Sequence, residues 1–546
     1  MKQNYRVTVR LENGDSLSME GEAQETLLET FLRQGLLYRA DCGGRGTCGK
    51  CKIKVMDGFL KPSIQDEKIF TQEEVKAGYH LSCKAIPEGN ITVQLCNPVE
   101  WEMEAVTENR IGDDSIFKTR SNFSEYIIAI DLGTTTIAIR LTEVKTGAAL
   151  ATHTLVNPQR AYGADVISRI KASMEGKREE LQVLIQKALL AGIQEVIAKS
   201  GVQPETVIQL AIAGNTTMIH LLLGYPCETL GVYPFTPVNK NTHRLSFGEL
   251  FTDKSTGVIE RDGSNVSDKA SSRELLQSLR TVPMVILPGI SAFVGGDIVG
   301  GLAVCGFHSS ESISLLIDFG TNGELALGNR NKILVASTAA GPAFEGGNIS
   351  CGTGSIPGAI SHVAIQENNL RYETIASKKP QGICGTGVIE LVAELYRNGL
   401  IDETGLLCDQ YFSDGYPIEY GGTTAFTFLQ KDIRELQLAK AAIRAGIEVL
   451  LKNYGITYTQ VNKVYLAGGF GFYLDTEKAV RIGLIPEEWK DRIITIGNSS
   501  LAGAEQIARS SEYLVIQEGL VQKAQEVALS LDPNFNELYL QYMSFN

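Results

Sequence analysis

Ile130-Asp-Leu-Gly-Thr-Thr-Thr136 follows a run of apolar residues and is repeated, with changes, as Ile317-Asp-Phe-Gly-Thr-Asn-Gly323. Each copy comes after an apolar segment that predicts a buried strand, and a polar turn leads from it into the next strand. The copies lie too far apart along the chain for a stacked array of short repeats. The pattern therefore predicts two related α/β lobes that open in the same way, with strand, turn and strand.

The residues of these two turns are typical of a phosphate site. Glycine and small hydroxyl residues present N–H and O–H groups that hold phosphate oxygens, and an aspartate such as Asp131 or Asp318 can hold Mg²⁺ through water. A turn-capping role for either aspartate stays open. A third motif, Gly468-Gly469-Phe470, follows an apolar strand at 464–467 and lets a nucleoside lie against bare backbone. The predicted nucleotide-binding residues are Gly133, Thr134, Thr135, Gly320, Thr321, Asn322, Gly468, Gly469 and Phe470.

The segments between these motifs read as alternating strands and helices. Strands are predicted at 136–141 and 207–213, helices near 165–172 and 179–199, and a long amphipathic helix at 432–453. Residues 240–275 are polar and are expected to form an irregular, exposed excursion. The apolar stretch 282–307 contains several prolines and glycines, so a strand, a loop and a packed helix explain it better than a membrane span.

A second group of motifs lies near the N-terminus. Cys42-x5-Cys48-x2-Cys51 occupies a glycine-rich loop, and Cys83 follows at a distance. Three thiolates on one such loop plus a distant fourth suit a [2Fe–2S] cluster. An alternating hairpin at 5–19 and a helix at 24–34 precede the loop, which predicts a small β-grasp domain over residues 1–98. Structural zinc and ordinary buried cysteines remain alternatives.

The same loop also contains two apparent nucleotide motifs that we reject. Gly44-x-Gly46-x-x-Gly49 matches a dinucleotide fingerprint, and Gly44-x4-Gly49-Lys50 nearly matches a phosphate-binding P-loop. No helical pattern follows either one, and Cys51 stands where a P-loop needs Ser or Thr.

Composition narrows the classes of function. The chain has 546 residues, 21% of them charged, and a net charge of −13. Such a balance disfavours nucleic acid and anionic membranes as partners, since both require a basic surface. Ten cysteines with a local cluster indicate a reducing compartment, and the polar N-terminus lacks the apolar core of a signal peptide, so a cytoplasmic location is expected. Residues 99–125 are polar and predict a linker.

At this point the chain resembles the ATPase superfamily of actin, heat-shock chaperones and sugar kinases. The resemblance depends on two phosphate loops, at 130–136 and 317–324, and an adenosine loop at 467–471, in that order. It implies two RNase H-like lobes, at 126–310 and 311–546. It also implies a connecting helix at 291–302, where Asp297 would hold metal or orient water.

A ferredoxin-like domain fused to such an ATPase resembles the reductive activators of corrinoid proteins. Further blocks carry this resemblance: Asn157-Pro-Gln, 163–170, 213–217 and Gly382-Ile-Cys-Gly-Thr-Gly387. The family implies reduction of Co(II) to Co(I) in a corrinoid protein of a methyltransferase or O-demethylase system, an unidentified electron donor, and a homodimer formed through a middle domain at 126–206. Cys42, Cys48, Cys51 and Cys83 would then hold the cluster, and Asp131, Asp318 and Asp297 would serve Mg²⁺ and ATP.

Other functions stay open on the sequence alone. One is a small-molecule kinase of the same superfamily with a regulatory cluster, and another is an electron-carrier subunit of a larger oxidoreductase. The glycine-rich stretches 339–347 and 382–387 fit an enclosed nucleotide cleft or, equally, tight packing of helix on sheet.

Overall fold

A computed structural model describes residues 5–11, 16–36, 38–97, 107–108, 124–256, 267–320, 322–367 and 369–545. Most of the predicted linker, 99–125, therefore lies outside the described residues. The N-terminal part contains the elements β1 Tyr5–Arg10, β2 Ser16–Gly21, α1 Leu27–Arg33, β3 Lys52–Asp57, α2 Ile64–Ile69, α3 Gln72–Lys76, β4 Tyr79–Leu81 and β5 Ile91–Leu95.

These strands form a mixed sheet in the order β2-β1-β5-β3-β4, with α1 packed on one face. The predicted hairpin is present as β1 and β2, and β1 pairs in parallel with β5. The predicted helix is shorter than 24–34. It begins at Leu27 because Thr26 and Glu29 form a capping box, each side chain accepting the other's backbone N–H. The glycine-rich cysteine loop then connects this helix to β3.

The first lobe follows the described linker residues. Its elements are β6 Tyr126–Leu132, β7 Thr136–Glu143, β8 Ala149–Val156, α4 Val166–Ala172, α5 Arg178–Ser200, β9 Val207–Gly214, α6 Thr216–Leu223, α7 Glu228–Gly231, β10 His243–Ser246, α8 Phe247–Leu250, α9 Ser267–Leu279, β11 Pro283–Ile286 and α10 Gly296–Val304. Its strands lie in the order β10-β11-β9-β6-β7-β8.

The second lobe is built on the same plan with additions. Its elements are β12 Ser314–Phe319, β13 Gly323–Gly328, β14 Ile333–Thr338, β15 Ala359–Gln366, β16 Asn369–Thr374, β17 Gly382–Ile383, α11 Gly385–Arg397, α12 Asp409–Phe412, β18 Tyr416–Tyr420, β19 Thr423–Phe428, α13 Gln430–Tyr454, β20 Lys463–Ala467, α14 Gly468–Tyr473, α15 Thr476–Arg481, β21 Ile493–Gly497, α16 Ser499–Arg509, α17 Glu512–Lys523, β22 Ala524–Glu526 and α18 Phe535–Gln541. The main sheet has the order β21-β20-β12-β13-β14-β22.

The two sheets repeat one topology. In the first lobe β6, β7 and β8 form an antiparallel meander, and β9 pairs in parallel with β6. In the second lobe β12, β13 and β14 form the meander, and β20 pairs in parallel with β12. The repeat at 130–136 and 317–323 therefore marks equivalent hairpins, and the prediction of two related lobes is confirmed. Each phosphate turn lies at the carboxyl end of the first strand of its lobe.

Two helices cross between the lobes. Helix α10 packs on the second sheet through Ile298, Val299 and Leu302, whereas α16, which comes late in the chain, packs on the first sheet through Leu501 and Ala504. The crossing is close, because a Cβ added to Gly503 would lie 2.3 Å from the Cα of Gly300. Each lobe thus contributes one helix to the core of the other, and relative motion of the lobes must pass through this crossing.

The stretch 282–307 forms the predicted strand, loop and helix, but α10 begins at Gly296 and ends at Val304, so the predicted helix boundaries of 291–302 were wrong. Another helical stretch, 166–200, is long and apolar enough to cross a membrane, and 56% of its most apolar window is buried inside the fold. Gly176 interrupts that stretch with a φ of 92°. Burial of this kind is typical of a core helix.

The prediction of an irregular excursion at 240–275 was partly wrong. Strand β10 pairs antiparallel with β11, and Phe247, Leu250 and Phe251 pack into the core of the first lobe. These three apolar residues lie within one short helical turn, so the sequence contains no long periodic pattern that would have predicted their burial. Residues 257–266 lie outside the described residues.

Candidate functional site

The cysteine loop holds its shape through glycines with left-handed backbone. Gly43, Gly44, Gly46 and Gly49 have φ values between 59° and 80°. At Gly43 the requirement is also steric, because a Cβ there would lie 2.7 Å from the carbonyl oxygen of Tyr162 in the first lobe. The loop can therefore turn tightly around its cysteines while it lies against the neighbouring lobe.

The four cysteines predicted to hold the cluster come together as two adjoining pairs. The Cys48 thiol hydrogen-bonds to Cys42, which lowers the pKa of Cys42 to about 4 and raises that of Cys48. Cys51 and Cys83 are paired in the same way, and the pKa of Cys51 is lowered by the hydrogen bond from Cys83. Backbone N–H groups of Thr47 and Cys48 also donate to the Cys42 sulfur.

This donor set fits a two-iron cluster. Such a cluster takes two protein ligands on each iron, and the cysteines already form two pairs. Backbone N–H groups directed at sulfur are the second component that such clusters require.

The two phosphate turns face a common cavity of about 1360 Å³. The turn after β6 contributes Gly133, Thr134 and Thr135, and the turn after β12 contributes Gly320 and Asn322. Thr321 lies outside the described residues. Cys42 and Cys48 line the same cavity. The structure therefore brings the predicted phosphate turns together and places part of the cysteine loop at the same opening.

Buried carboxylates line this cavity and raise one another's pKa. Desolvation raises the pKa of Asp297 to about 7 and that of Asp318 to about 7, and repulsion from the neighbouring carboxylates adds to both shifts. Burial also raises the pKa of Asp131, which accepts hydrogen bonds from Ser500 Oγ at 2.6 Å and Asn498 Nδ2 at 2.8 Å. The three aspartates predicted from the sequence thus line one cavity and act on one another electrostatically, although the described residues contain no three His, Cys, Asp or Glu side chains placed to ligate one metal ion directly.

Glu324 is a further member that we did not single out from the sequence. It pairs with Asp318 across the β12–β13 hairpin. Burial raises its pKa well above the usual value, and the charges of Asp297 and Asp318 raise it further. The sequence feature that could have pointed to Glu324 is its position at the end of the second repeat, in Asp318-Phe-Gly-Thr-Asn-Gly-Glu324. Like charges held this closely are stabilised by a bound cation.

The cluster predicts a pH dependence of stability that can be measured without ligand. Because the pKa of Asp318 is raised to about 7, the native state keeps a proton that the unfolded state releases near pH 4. The contribution to stability is full below pH 4 and is lost as the pH rises through 7. In urea titrations with EDTA and no nucleotide, wild type should lose stability between pH 5 and pH 8 relative to Asp318→Asn. Parallel pH profiles for the two proteins would show that the shift is absent.

The predicted adenosine loop is in fact the first turn of helix α14. Gly468 has a φ of 81°, and a Cβ there would lie 2.8 Å from Asp318 Oδ1. Phe470 packs against Phe319, with ring centroids 5.2 Å apart, and against Phe344, at 4.9 Å. Gly468, Gly469 and Phe470 all line the cavity. This turn is thus held directly against the second phosphate loop.

The other glycine-rich stretches line the cavity, through Gly347, Gly385 and Thr386, and are also tightly packed. A Cβ at Gly385 would lie 1.8 Å from the carbonyl oxygen of Phe344, and one at Gly387 would lie 2.3 Å from that of Ile360. In the stretch 339–347, a Cβ at Gly346 would meet the Thr353 carbonyl oxygen at 2.2 Å. Helix α11 therefore begins against the backbone of its own lobe.

Comparison with known proteins agrees with this geometry. Residues 11–88 match the domain family described as 2Fe-2S iron-sulfur cluster binding domain, residues 126–259 match the RACo middle region, and residues 312–546 match the C-terminal domain of RACo, the ASKHA domain. The chain is also 32% identical, over 96% of its length and 97% of the relative's, to the corrinoid activation enzyme RamQ of Eubacterium limosum. The chain belongs to the RACo family. Its ASKHA domain is the ATPase fold shared by actin, heat-shock chaperones and sugar kinases.

Two further comparisons agree with membership of the RACo family. It is 27% identical, over 77% of each chain, to the Co(II) methylated amine-specific corrinoid protein reductase of Methanosarcina barkeri. A solved structure titled "Reductive activator for corrinoid, iron-sulfur protein" covers 99% of the chain at 25% identity, with a TM-score of 0.69. The predicted fold class and the prediction of an ATP-dependent reductive activator of corrinoid proteins, with a [2Fe–2S] cluster, are confirmed at the level of the family.

Proposed function

We propose that this RACo-family chain converts the inactive Co(II) state of a corrinoid protein of a methyltransferase or O-demethylase system to Co(I), with Mg²⁺ and ATP bound between the lobes. The observation that carries the proposal is the shared cavity. Cys42 and Cys48 line the same opening as Asp131 and Asp318. A nucleotide site and an electron-carrying loop that share one opening can influence each other.

The cysteine pairs are proposed to hold the cluster. Cys42 and Cys48 form one pair, Cys51 and Cys83 form the other, and the N–H groups of the loop support the thiolates. When bound there, a [2Fe–2S] cluster supplies a one-electron carrier. Three of the four thiols are buried, since Cys42, Cys51 and Cys83 are all less than 7% exposed, and Cys48 is partly buried.

The nucleotide is proposed to lie with its phosphates between the two turns. Thr134, Thr135 and Asn322 offer hydroxyl and amide groups to phosphate oxygens, and Gly133, Gly320 and Thr321 complete the loops. Asp131, Asp297 and Asp318 are proposed to hold Mg²⁺, with Glu324 beside them. Oxygen ligands are what this ion requires, and a bound cation would offset the burial and mutual repulsion that raise the pKa values of Asp297 and Asp318. Gly468, Gly469 and Phe470 are proposed to face the adenosine.

The energetics explain why a nucleotide is required. Reduction of Co(II) to Co(I) takes one electron, and plant-type clusters have potentials near about −400 mV. Each further 59 mV uphill lowers the equilibrium constant about tenfold. Preferential binding of ATP to one arrangement of the lobes can supply the difference, to the extent that the nucleotide distinguishes the two arrangements. The crossing of α10 and α16 is where such a change is transmitted.

Further proposals concern the setting. All ten cysteines lie in described residues and none of them forms a disulfide, which supports a reducing, cytoplasmic location. We propose a homodimer, a corrinoid protein as partner, and a separate one-electron donor that reduces the cluster again after each turnover. The acidic charge of the chain supports our inference that neither nucleic acid nor membrane is a partner.

Partner-dependent ATP hydrolysis tests the proposal. Holoenzyme is assayed anaerobically alone, with a Co(II) corrinoid protein, and with the same partner held as methyl-Co(III). We expect the Co(II) form to stimulate hydrolysis about tenfold over the other two conditions, as expected for linked binding sites. If the rate of hydrolysis were the same with and without the partner, or if a phosphorylated metabolite were formed, the result would instead favour a kinase.

A further inference from the structure

One short segment of the first lobe holds the cysteine loop. We call residues 157–169 the docking segment. The Ala164 N–H donates to the Asp41 carbonyl oxygen at 3.0 Å, and Arg45 Nη2 donates to Ser168 Oγ at 3.2 Å. Arg45 also donates from Nε to the carbonyl oxygen of Cys42, at 2.9 Å. The segment therefore contacts the residues on both sides of the first cluster cysteine.

The same segment also holds the first phosphate turn. Asn157 Nδ2 donates to the Gly133 carbonyl oxygen at 2.8 Å, and the Asn157 N–H donates to that of Thr135 at 2.8 Å. Arg169 Nη2 donates to the Thr134 carbonyl oxygen at 2.6 Å. The backbone that would bind phosphate and the backbone that carries Cys42 are thus bonded to the same short segment.

Two arginines of the docking segment lie between these loops. Arg169 is fully buried, and desolvation together with the nearby charge of Arg160 lowers its pKa to about 9. Arg160 Nη2 lies 3.7 Å from Asp41 Oδ1, next to Cys42, and its side chain is 13% exposed. Arg160 also lines the cavity. Two adjacent positive charges therefore lie between the loops, with Arg169 bonded to the phosphate turn and Arg160 beside Asp41 of the cysteine loop.

The two lobes also interact with each other at this point, through the carboxylate of Glu345. Thr135 Oγ1 donates to Glu345 Oε2 of the second lobe at 3.0 Å, and the Glu345 carboxylate acts on the charge of Arg169. An anion bound at the first phosphate turn would be repelled by the Glu345 carboxylate and attracted by Arg160 and Arg169. A change in the charge of the cysteine loop would also act on Arg160, through Asp41.

We propose that the docking segment makes nucleotide binding and reduction of the cluster antagonistic, with Arg160 as a positioning residue that transmits the effect. This proposal rests on the proposed function. It adds which residues couple nucleotide binding to reduction of the cluster, and that each weakens the other. Reduction adds an electron to the cysteine loop, and the nucleotide adds negative charge at the phosphate turn. Both changes add negative charge beside this adjacent pair of arginines, so each weakens the other. Bound nucleotide then lowers the potential of the cluster, which makes the electron more reducing.

Reciprocity gives the test two readouts that do not depend on cobalt. The dissociation constant of a non-hydrolysable Mg–ATP analogue is measured for oxidised and for reduced holoenzyme, and the midpoint potential of the cluster is titrated with and without the analogue. We expect about tenfold weaker binding to the reduced protein, and linkage then requires the potential to fall by about 59 mV. Equal affinities in the two states would overturn the proposal.

Substitutions test whether the docking segment causes the difference in nucleotide affinity between the oxidised and the reduced protein. Arg160→Ala should reduce the tenfold ratio to less than about threefold, and Arg160→Lys, which keeps the charge, should recover most of it. Lys171→Ala is the matched control, because Lys171 lies on α4 with its side chain 59% exposed and pairs only weakly with Glu175. A full ratio in Arg160→Ala would reject this route.

These results separate the two proposals. If wild type reduces Co(II) only with ATP but shows no redox-dependent affinity, the docking-segment proposal fails and the proposed function stands. If the nucleotide does not bind at all, the proposed function itself fails.

Discussion

Asp318→Asn is expected to lower ATP-dependent reduction of Co(II) by about 100-fold or more, the range seen when one group that stabilises charge is removed from an active site. Asparagine has the same shape, so the close contact with Gly468 is kept. It carries no negative charge, so Mg²⁺ would lose one of its proposed ligands. The rate is measured from the visible absorption of the corrinoid partner.

Stability distinguishes this effect from misfolding. Asp318 lies beside Asp297 and Asp131, and each raises its pKa by repulsion. Removing its charge should leave the nucleotide-free protein as stable as wild type or more stable above pH 7. Asp414→Asn, at an exposed turn, is the control and should retain full activity. If Asp318→Asn kept the wild-type rate, Asp318 would have no role in nucleotide use.

Cys83→Ala is expected to abolish reduction completely while nucleotide binding persists. Cys83 is 4% exposed, pairs with Cys51, and lies far along the sequence from the cysteine loop. Without it the second pair cannot form, so iron content, visible absorption and the EPR signal of the reduced protein should all fall sharply. The nucleotide lobes have their own cores and should bind the ATP analogue as before.

Cys96→Ala is the matched control, since Cys96 lies in the same domain and was not predicted to bind iron. Its Sγ donates to the Gln94 carbonyl oxygen at 3.8 Å, near the end of β5. This variant should keep its iron and its activity. Full iron content in Cys83→Ala, or loss of iron in Cys96→Ala, would contradict the proposed ligand set.

The sequence predicted the parts of the site that are local. Asp131 and Asp318 each follow a buried strand and precede a Gly-Thr turn, a pattern that one hairpin specifies by itself. The cysteine spacing 42, 48 and 51 is also local. Such features could be predicted because neighbouring residues along the chain determine their geometry.

The parts that depend on distant contacts could not be predicted. Glu324 follows Asp318 closely in sequence, but its raised pKa depends on burial and on the charge of Asp297, which comes from α10. The docking of the cysteine loop on residues 157–169 depends on how two domains meet, and no spacing within either segment encodes it. Gly468 was interpreted as bare backbone for a nucleoside, which stays a prediction, and the sequence did not show that its positive φ and its closeness to Asp318 also require glycine there.

The central claim is that nucleotide drives an electron to cobalt that would not otherwise move there. The most direct measurement is the visible spectrum of a Co(II) corrinoid protein mixed anaerobically with this chain and excess reductant, with and without Mg–ATP. The account predicts that the Co(II) band is replaced by the Co(I) band only when nucleotide is present. Equal conversion without nucleotide would contradict it.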